Sequence, residues 1–208
     1  GGGGGITLAD IIMEKIREHE EHQAALAAVG GDEKLLVQQH VERQLDPKLV
    51  HVYRGVGKVL KHYRSGKLPR AFRIIPRLEN WIEVLFLTEP DEWPPHALYA
   101  ATRVFASSLK EKLVQRFYHV VLLPRVRSEI AQNRKLAFHT YHALRKATFK
   151  PGAFFRGIVL PLVDSGDCTV REATIVGSVI AKASLPPLHA AACLTRIAQH
   201  AHYVGTHS

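Results

Sequence analysis

The sequence is poor in cysteine and has no long apolar run. Its 208 residues include only Cys168 and Cys193, too few for a disulfide framework or a cysteine-based zinc site. We therefore expect a reducing compartment, the cytosol or the nucleus. No apolar run reaches the roughly 18 residues that a membrane span needs, and no signal peptide is visible, so we predict neither.

Acidic residues are missing from one long segment. Between Arg54 and Arg77 there are eight Lys/Arg and no Asp or Glu. These basic residues are Arg54, Lys58, Lys61, Arg64, Lys67, Arg70, Arg73 and Arg77. Charge this one-sided repels itself unless it meets a polyanion, so the segment predicts contact with a phosphate backbone.

Positive charge continues further along the chain. Residues 1–46 carry four Lys/Arg and nine Asp/Glu, whereas residues 103–156 carry twelve Lys/Arg and two acids. From this second stretch we select as further candidate RNA-binding residues Arg125, Arg127, Arg134, Lys135, Lys146 and Lys150. A single basic pair is typical of a solvated face, but twenty basic residues against two acids across both stretches favour a binding surface. An anionic membrane would attract the same charge, but these residues are interleaved with apolar positions of buried type.

Apolar residues recur with helical spacing, and no segment alternates like a strand. Asp46-Pro47 is typical of a helix start, with a cap followed by proline at the first helical position. We expect the helix that follows to bury one arc of side chains, namely Leu49, Val52, Tyr53, Val56, Val59, Leu60 and Tyr63. Arg54, Lys58 and Lys61 fall on the opposite arc.

Proline and glycine divide the rest of the chain. We predict further helices at about 81–87, 95–107, 109–123, 134–148, 152–163, 169–183 and 187–202, with Pro124 interrupting or kinking one of them. Thr7 with Asp10, opening a helix through about Val29, and Thr169 with Glu172 fit capping boxes.

These patterns predict an all-α fold, an array of antiparallel helical hairpins with a solenoid-like tendency. We expect a flexible leader and peripheral helix over residues 1–45 and a helical core over residues 46–208.

Catalytic and metal-binding patterns are weak. Gly55-Val56-Gly57-Lys58 resembles part of a phosphate loop but lacks its spacing and lies inside a predicted helix, where small residues instead favour close packing. Cys168 precedes a helix N-terminus, which lowers a thiol pKa, yet no nucleophile constellation surrounds it, and a packed residue near a cap is the favoured interpretation. The close histidine pairs, such as His139 and His142, lack ligand partners at a recognised spacing. We predict no metal, no cofactor and no enzymatic activity.

The sequence lacks the common motifs that bind RNA by recognising its bases. The chain has no RNP-type aromatic strand, no GXXG loop and no zinc finger, which argues for recognition of backbone shape. Tyr63 and Phe72 lie among the basic residues, and core packing is the favoured interpretation for both. The same basic face would also suit an acidic segment of a protein, and that alternative stays open.

Several segments, in one order, resemble the bystin family. They are residues 7–15 (TLADIIMEK), 63–76 (YRSGKLPRAFRIIP), 88–93 (TEPDEW), 116–127 (RFYHVVLLPRVR), 150–162 (KPGAFFRGIVLPL) and 165–173 (SGDCTVREA). The resemblance covers about residues 6–16 and 46–200, and the stretch 17–45 departs from the pattern.

The resemblance implies a non-enzymatic assembly factor of the small (40S) ribosomal subunit. Such proteins support maturation of the 18S rRNA precursor and contact pre-rRNA, other assembly factors and ribosomal proteins, with no membrane and no small-molecule substrate. The implied location is the nucleus and nucleolus, with passage to the cytoplasm on exported pre-40S particles. Family members also carry a charged N-terminal extension and further C-terminal helices, so we expect this chain to be a fragment, truncated at its C-terminus.

Overall fold

The computed structural model describes residues 45–199, including the side chains of residues 45–195. In this part of the chain the regular structure is helical and contains no strand, so the predicted all-α fold is confirmed. The hairpin array and the predicted domain boundaries stay predictions. The capping box at Thr7 and its helix lie outside the described residues.

Eleven α-helices lie within the described part. They are α1 (Pro47–Lys61), α2 (Arg70–Ile74), α3 (Trp81–Phe86), α4 (Pro95–Ser108), α5 (Glu111–Phe117), α6 (Leu123–Asn133), α7 (Phe138–Ala147), α8 (Pro151–Phe154), α9 (Leu160–Asp164), α10 (Val170–Ala181) and α11 (Pro187–Gln199). Short 3₁₀ turns occupy Ile75–Arg77 and Pro90–Glu92. The chain divides into two units, Gly1–Val50 and His51–Ser208, and the core and candidate site belong to the second.

Helix α1 begins where the sequence predicts. Asp46 accepts a hydrogen bond through Oδ1 from the Lys48 N–H at 2.8 Å, and Pro47 is the first helical residue. The carboxylate satisfies an N–H that has no partner inside the helix.

The buried face of α1 is rotated from the expected one. Tyr53 and Leu60 are buried as predicted, but Val52 and Val59 are 49% and 56% exposed. The buried arc turns instead toward Gly57. Because glycine lacks a Cβ, the backbone of α1 approaches its neighbour on that side, and the two valines are turned outward.

Thr88 is the neighbour that Gly57 contacts. A Cβ at Gly57 would lie 2.9 Å from the Thr88 carbonyl oxygen, whereas a Cβ at Gly55 would meet nothing within 4 Å. The same carbonyl accepts a hydrogen bond from Trp93 Nε1 at 2.9 Å. The prediction of close packing is therefore confirmed for Gly57 and wrong for Gly55.

Aromatic rings fill the core beneath α1. Phe72 contacts Trp93 edge-on at a centroid distance of 5.4 Å and Phe105 at 5.9 Å, and Phe105 stacks on Phe117 at 4.5 Å. All four rings are almost completely buried. Core packing of Phe72 is therefore confirmed. Burial of these large rings contributes much of the apolar stabilisation of this domain.

Two prolines are each preceded by a π-helical turn. Tyr118–Leu122 joins α5 to α6 ahead of Pro124, and Phe155–Val159 joins α8 to α9 ahead of Pro161. A proline lacks the N–H and crowds the carbonyl four residues before it, and the wider π turn relieves both problems. Pro124 therefore does not end its helix, and α6, which the sequence did not predict, continues to Asn133.

Side-chain carboxylates cap two of the later helices. Thr169 and Glu172 form the predicted capping box at the start of α10. Glu129, which is buried, accepts hydrogen bonds from the Ala137 N–H and from the Thr140 hydroxyl at the start of α7. Within residues 45–199 no helix is both long and apolar enough to cross a membrane.

Candidate nucleic-acid interface

All eight basic residues between Arg54 and Arg77 are exposed. Arg54, Lys58 and Lys61 lie on the solvent side of α1, as predicted, because the opposite side of the helix is buried. They line an open groove of about 650 Å³. The groove is completed by His51, Gly55 and Glu89.

Two acidic residues from the turn after α3 approach this groove. Lys61 Nζ lies 2.9 Å from Glu92 Oε2, and both side chains are half-exposed. The hydrogen bond and charge of Glu92, with a smaller contribution from Glu89, raise the pKa of Lys61. Lys61 therefore carries its charge next to a carboxylate, in an exposed pair that a phosphate can displace at little cost.

The segment after α1 turns its basic side chains outward by burying the residues between them. Leu68, Phe72 and Ile75 are buried, while the basic residues of this segment are exposed: Arg64, Lys67, Arg70, Arg73 and Arg77. The turn itself is held by the Tyr63 hydroxyl, which donates to the Gly66 carbonyl at 2.8 Å. Gly66 has a φ of +94°, a backbone conformation that favours glycine.

The two arginines that follow Pro124 have internal partners. Arg125 Nη1 donates to the Asp91 carbonyl at 2.9 Å. Arg127 bonds Asp167 Oδ1 at 2.7 Å and Glu172 Oε1 at 2.8 Å. Burial lowers the pKa of Arg127, but the hydrogen bonds to these two carboxylates outweigh it and the net pKa is raised. Arg127 thus joins parts of the fold, and its charge is largely neutralised there.

The remaining candidates surround α7. Arg134 and Lys135 are exposed in the turn before it, where Arg134 has a φ of +59°. Lys146 Nζ lies 3.6 Å from the centroid of the Phe149 ring. Lys150 Nζ donates to the Leu109 carbonyl at 3.4 Å. Both lysines are half-buried, and each keeps part of its side chain in solvent.

The two acids of the second basic stretch are engaged elsewhere. Glu129 is buried against the start of α7, and Glu111 pairs with Arg156. Neither carboxylate pairs with Arg134, Lys135, Lys146 or Lys150. The positive charge around α7 therefore has little local compensation from its own stretch of sequence.

Neither cysteine has the properties of a nucleophile. Both are free thiols, with Cys193 buried and Cys168 half-buried. Burial, reinforced by the charge of Glu172, raises the pKa of Cys168 and outweighs any lowering by the helix N-terminus. Within the described part of the chain no three His, Cys, Asp or Glu side chains are grouped to hold a metal ion.

Sequence reasoning missed two kinds of residue at the groove: the acidic residues Glu89 and Glu92, and the α1 residues His51 and Gly55. Glu89 and Glu92 belong to a turn that contacts α1 only in the folded chain. His51 and Gly55 could have been placed by the periodicity of α1, since both share the outward arc of Lys58.

Comparison with known proteins agrees with the sequence segments described above. The family model described as Bystin matches residues 3–208. The chain is 53% identical over 193 residues to the protein named Bystin from Monosiga brevicollis, covering 93% of this chain and 44% of that protein. It is 55% identical over 194 residues to Bystin from Bos taurus, covering 93% of this chain and 43% of the relative, and 54% identical over 194 residues to Bystin from Homo sapiens, with the same coverage.

The chain thus spans less than half the length of these curated relatives. The match nevertheless extends across nearly all of the chain, through the basic segment and the helices that carry it. The chain belongs to the bystin family.

Proposed function

We propose that this chain acts in a non-enzymatic assembly factor of the small (40S) ribosomal subunit. It binds the precursor of 18S rRNA through its basic helical surface and docks other assembly factors and ribosomal proteins during rRNA maturation. Its place of action is the nucleolus and nucleus, with exit to the cytoplasm on pre-40S particles. Membership of the bystin family and the charge of the surface support this proposal.

The observation that carries the proposal is the exposure of every basic residue from Arg54 to Arg77. Three of them line one groove on α1, and the others continue along the turn, α2 and the 3₁₀ turn that follows it. Phosphates repeat along an RNA strand, so a surface with repeated cations gains from several contacts at once. Helices fix the backbone positions of five of them, which reduces the entropy cost of binding: Arg54, Lys58, Lys61, Arg70 and Arg73.

The binding mode follows from the residue types. Arg64, Arg70 and Arg73 have planar guanidinium groups that can hold a phosphate with two hydrogen bonds, while Lys58 and Lys67 act as mobile point charges. These contacts recognise the backbone and its path more than base identity. The protein would thereby hold a fold of the RNA without chemical reaction.

Salt-dependent binding of a fluorescent RNA duplex tests the proposal. If about six phosphates are neutralised, the logarithm of the association constant falls against the logarithm of salt with a slope of roughly −4 to −5. The charge-reversal variant Lys58→Glu/Lys61→Glu/Arg64→Glu should bind about tenfold or more weakly at low salt and show a shallower slope. Its melting temperature should match that of the natural chain because the three side chains are exposed.

A matched control reverses three exposed charges outside the candidate set, Lys110→Glu/Lys112→Glu/Arg171→Glu. It changes the net charge equally and should retain most of the affinity. Equal losses of RNA affinity in both variants would show a general effect of net charge and would overturn the proposal of a defined binding surface. A flat salt response, combined with loss of binding to an acidic peptide in the first variant, would favour a protein-binding adaptor.

A further inference from the structure

Five aromatic rings form a continuous ridge where α4 packs against α7. The ring centroids of His96 and His139 lie 3.9 Å apart with the planes tilted by 32°, and His139 contacts Phe138 at 5.3 Å. Phe138 contacts His142 at 4.3 Å, and Tyr99 lies 6.0 Å from His142. The ridge therefore draws on both helices and is a property of their packing.

Phe138 is the outward face of this ridge. Its ring is 70% exposed, whereas the other four rings are half-buried. A single exposed apolar side chain is ordinary on a protein surface. Here, however, two neighbouring rings hold the Phe138 ring, with His139 nearly perpendicular to it at 79° and His142 tilted by 45°. Most of the Phe138 ring stays in solvent, where a planar ligand can stack on it.

Cations surround the ridge. The Arg103 guanidinium lies 5.8 Å from the Tyr99 ring centroid, and Arg134 and Lys135 are exposed in the turn just before Phe138. The charge of Arg64 acts on His96, and burial together with His139 and Arg64 lowers the pKa of that imidazole, which favours its neutral form. This side of α7 is therefore both aromatic and positively charged.

The carboxylate that contacts the start of α7 is turned into the fold. Glu129 is 8% exposed, and its two oxygens accept hydrogen bonds from the Ala137 N–H and the Thr140 hydroxyl. A ligand at Phe138 would thus meet an aromatic face with cations around it. A planar group attached to phosphates matches both features, since bases stack on aromatic rings and phosphates pair with Arg and Lys.

We propose that Phe138, supported by His139 and His142, stacks an unpaired base of RNA while Arg134 and Lys135 bind the adjoining phosphates. This inference rests on the proposed RNA-binding function and adds a second contact of a different kind. The basic face of α1 and α2 binds the RNA backbone. The ridge favours RNA with a bulge or loop, where a base is unpaired and can stack on Phe138.

Two RNAs test the inference on the full chain: a perfect duplex, and the same duplex with an adenosine bulge that contains a fluorescent adenine analogue. Phe138→Ala should weaken binding of the bulged RNA about tenfold, the loss expected for one base stack, and leave the duplex affinity unchanged. Emission of the analogue should fall on binding to the natural chain and not on binding to the variant. Phe138→Trp should keep both the affinity and the quenching.

Phe149→Ala is the matched control, because Phe149 is similarly exposed, at 72%, and lies outside the ridge with Lys146 over its ring. It should bind both RNAs like the natural chain. Phe138→Leu separates stacking from simple apolar contact, and it should bind bulged RNA as weakly as Phe138→Ala does. The thermal stability of each Phe138 variant should stay unchanged, since the ring is mostly in solvent.

Unchanged affinity of Phe138→Ala for the bulged RNA would overturn the stacking site. If charge reversal of Lys58, Lys61 and Arg64 still weakened binding of the duplex RNA, the proposed function would stand without the stacking site. Full binding of the bulged RNA by Phe138→Leu would show that an apolar contact suffices without ring stacking and would also overturn the inference. Loss of the salt response in the natural chain would remove the proposed function itself.

Discussion

Arg127 Nε lies 2.8 Å from Glu172 Oε1, and this pair joins helix α6 to helix α10. Glu172 is almost completely buried and at the same time accepts a hydrogen bond from the Thr169 N–H at 2.8 Å through Oε2. One carboxylate thus closes a capping box and anchors a cation from a distant helix. Because the donors around it would be left without a partner, we expect this position to be sensitive to substitution.

Glu172→Gln should destabilise the chain by about 2 kcal/mol at neutral pH, because the neutral amide weakens the cap and leaves Arg127 partly uncompensated. Chemical unfolding at constant temperature measures this loss. The exposed neighbour Arg171→Gln is the control and should change stability by less than about 0.5 kcal/mol. Equal stability of the two variants would show that the pair contributes little.

The same carboxylates predict a loss of stability in acid. Burial raises the pKa of Glu172, but hydrogen bonds from Thr169 and Arg127 outweigh it and the net pKa falls below the ordinary 4.5. Hydrogen bonds from Ser165 and Arg127 lower the pKa of Asp167 below 3.8. The folded chain therefore binds protons less readily than the unfolded chain.

This contribution is complete above about pH 4.5 and is lost as the pH falls through the lowered pKa values of the folded state. Melting temperatures measured in steps from neutral pH into acid should decline in that range, and the decline should be shallower for Glu172→Gln. A variant curve parallel to that of the natural chain would contradict the assignment to Glu172.

Gly57 and Gly55 form a matched pair of substitutions on one helix. Gly57→Ala places a Cβ 2.9 Å from the Thr88 carbonyl oxygen and should cost about 1–3 kcal/mol. Gly55→Ala meets nothing within 4 Å and should stabilise α1 by about 0.5–1 kcal/mol. Thermal unfolding of the two variants side by side tests the sign, and a gain at both positions would show that Thr88 moves aside.

Glu129 is expected to hold the start of α7. Glu129→Ala removes the acceptor for the Ala137 N–H and the Thr140 hydroxyl and should cost about 2–3 kcal/mol. Glu129→Gln keeps an oxygen for one of these donors and should lose less. Hydrogen exchange of the α7 amides provides the local readout, and unchanged protection there would argue against a capping role.

His96 predicts a second effect of pH, in milder acid. Burial, His139 and Arg64 together lower its pKa below the ordinary 6.5, so protonation favours the unfolded chain. The stability that His96 contributes is present above about pH 6.5 and declines as the pH falls below that value. His96→Phe keeps a ring at this position and should reduce the change in melting temperature between about pH 7.5 and pH 5.5. An identical change in both chains would contradict this.

Local signals in the sequence were sufficient for most helix starts. Asp46-Pro47, Pro95 and Pro187 each open a helix where expected, because a proline at the first helical position needs no N–H partner. The exposure of the basic residues on α1 also followed from periodicity. These features depend on neighbours within a turn or two of the chain.

Features that depend on distant residues were out of reach. The ion pairs of Arg127, the cap from Glu129 and the ridge around Phe138 each join separate helices. No spacing rule connects such positions in advance. The outward rotation of Val52 and Val59 likewise results from the contact between Gly57 and a turn that arrives later in the chain.

The widened turn before Pro124 decides which side chains of α6 point outward. A regular α-helix advances about 100° per residue, so Arg125 would lie about three turns beyond Val114 on the same inward side. The additional residue in the π turn Tyr118–Leu122 rotates α6 about the helix axis by one residue. As a result Val126 is buried, whereas Arg125 reaches the surface. Pro124, which the π turn accommodates, thereby determines which residues of α6 face the solvent. A chain without this proline would carry the same charged residues on a different side of the helix.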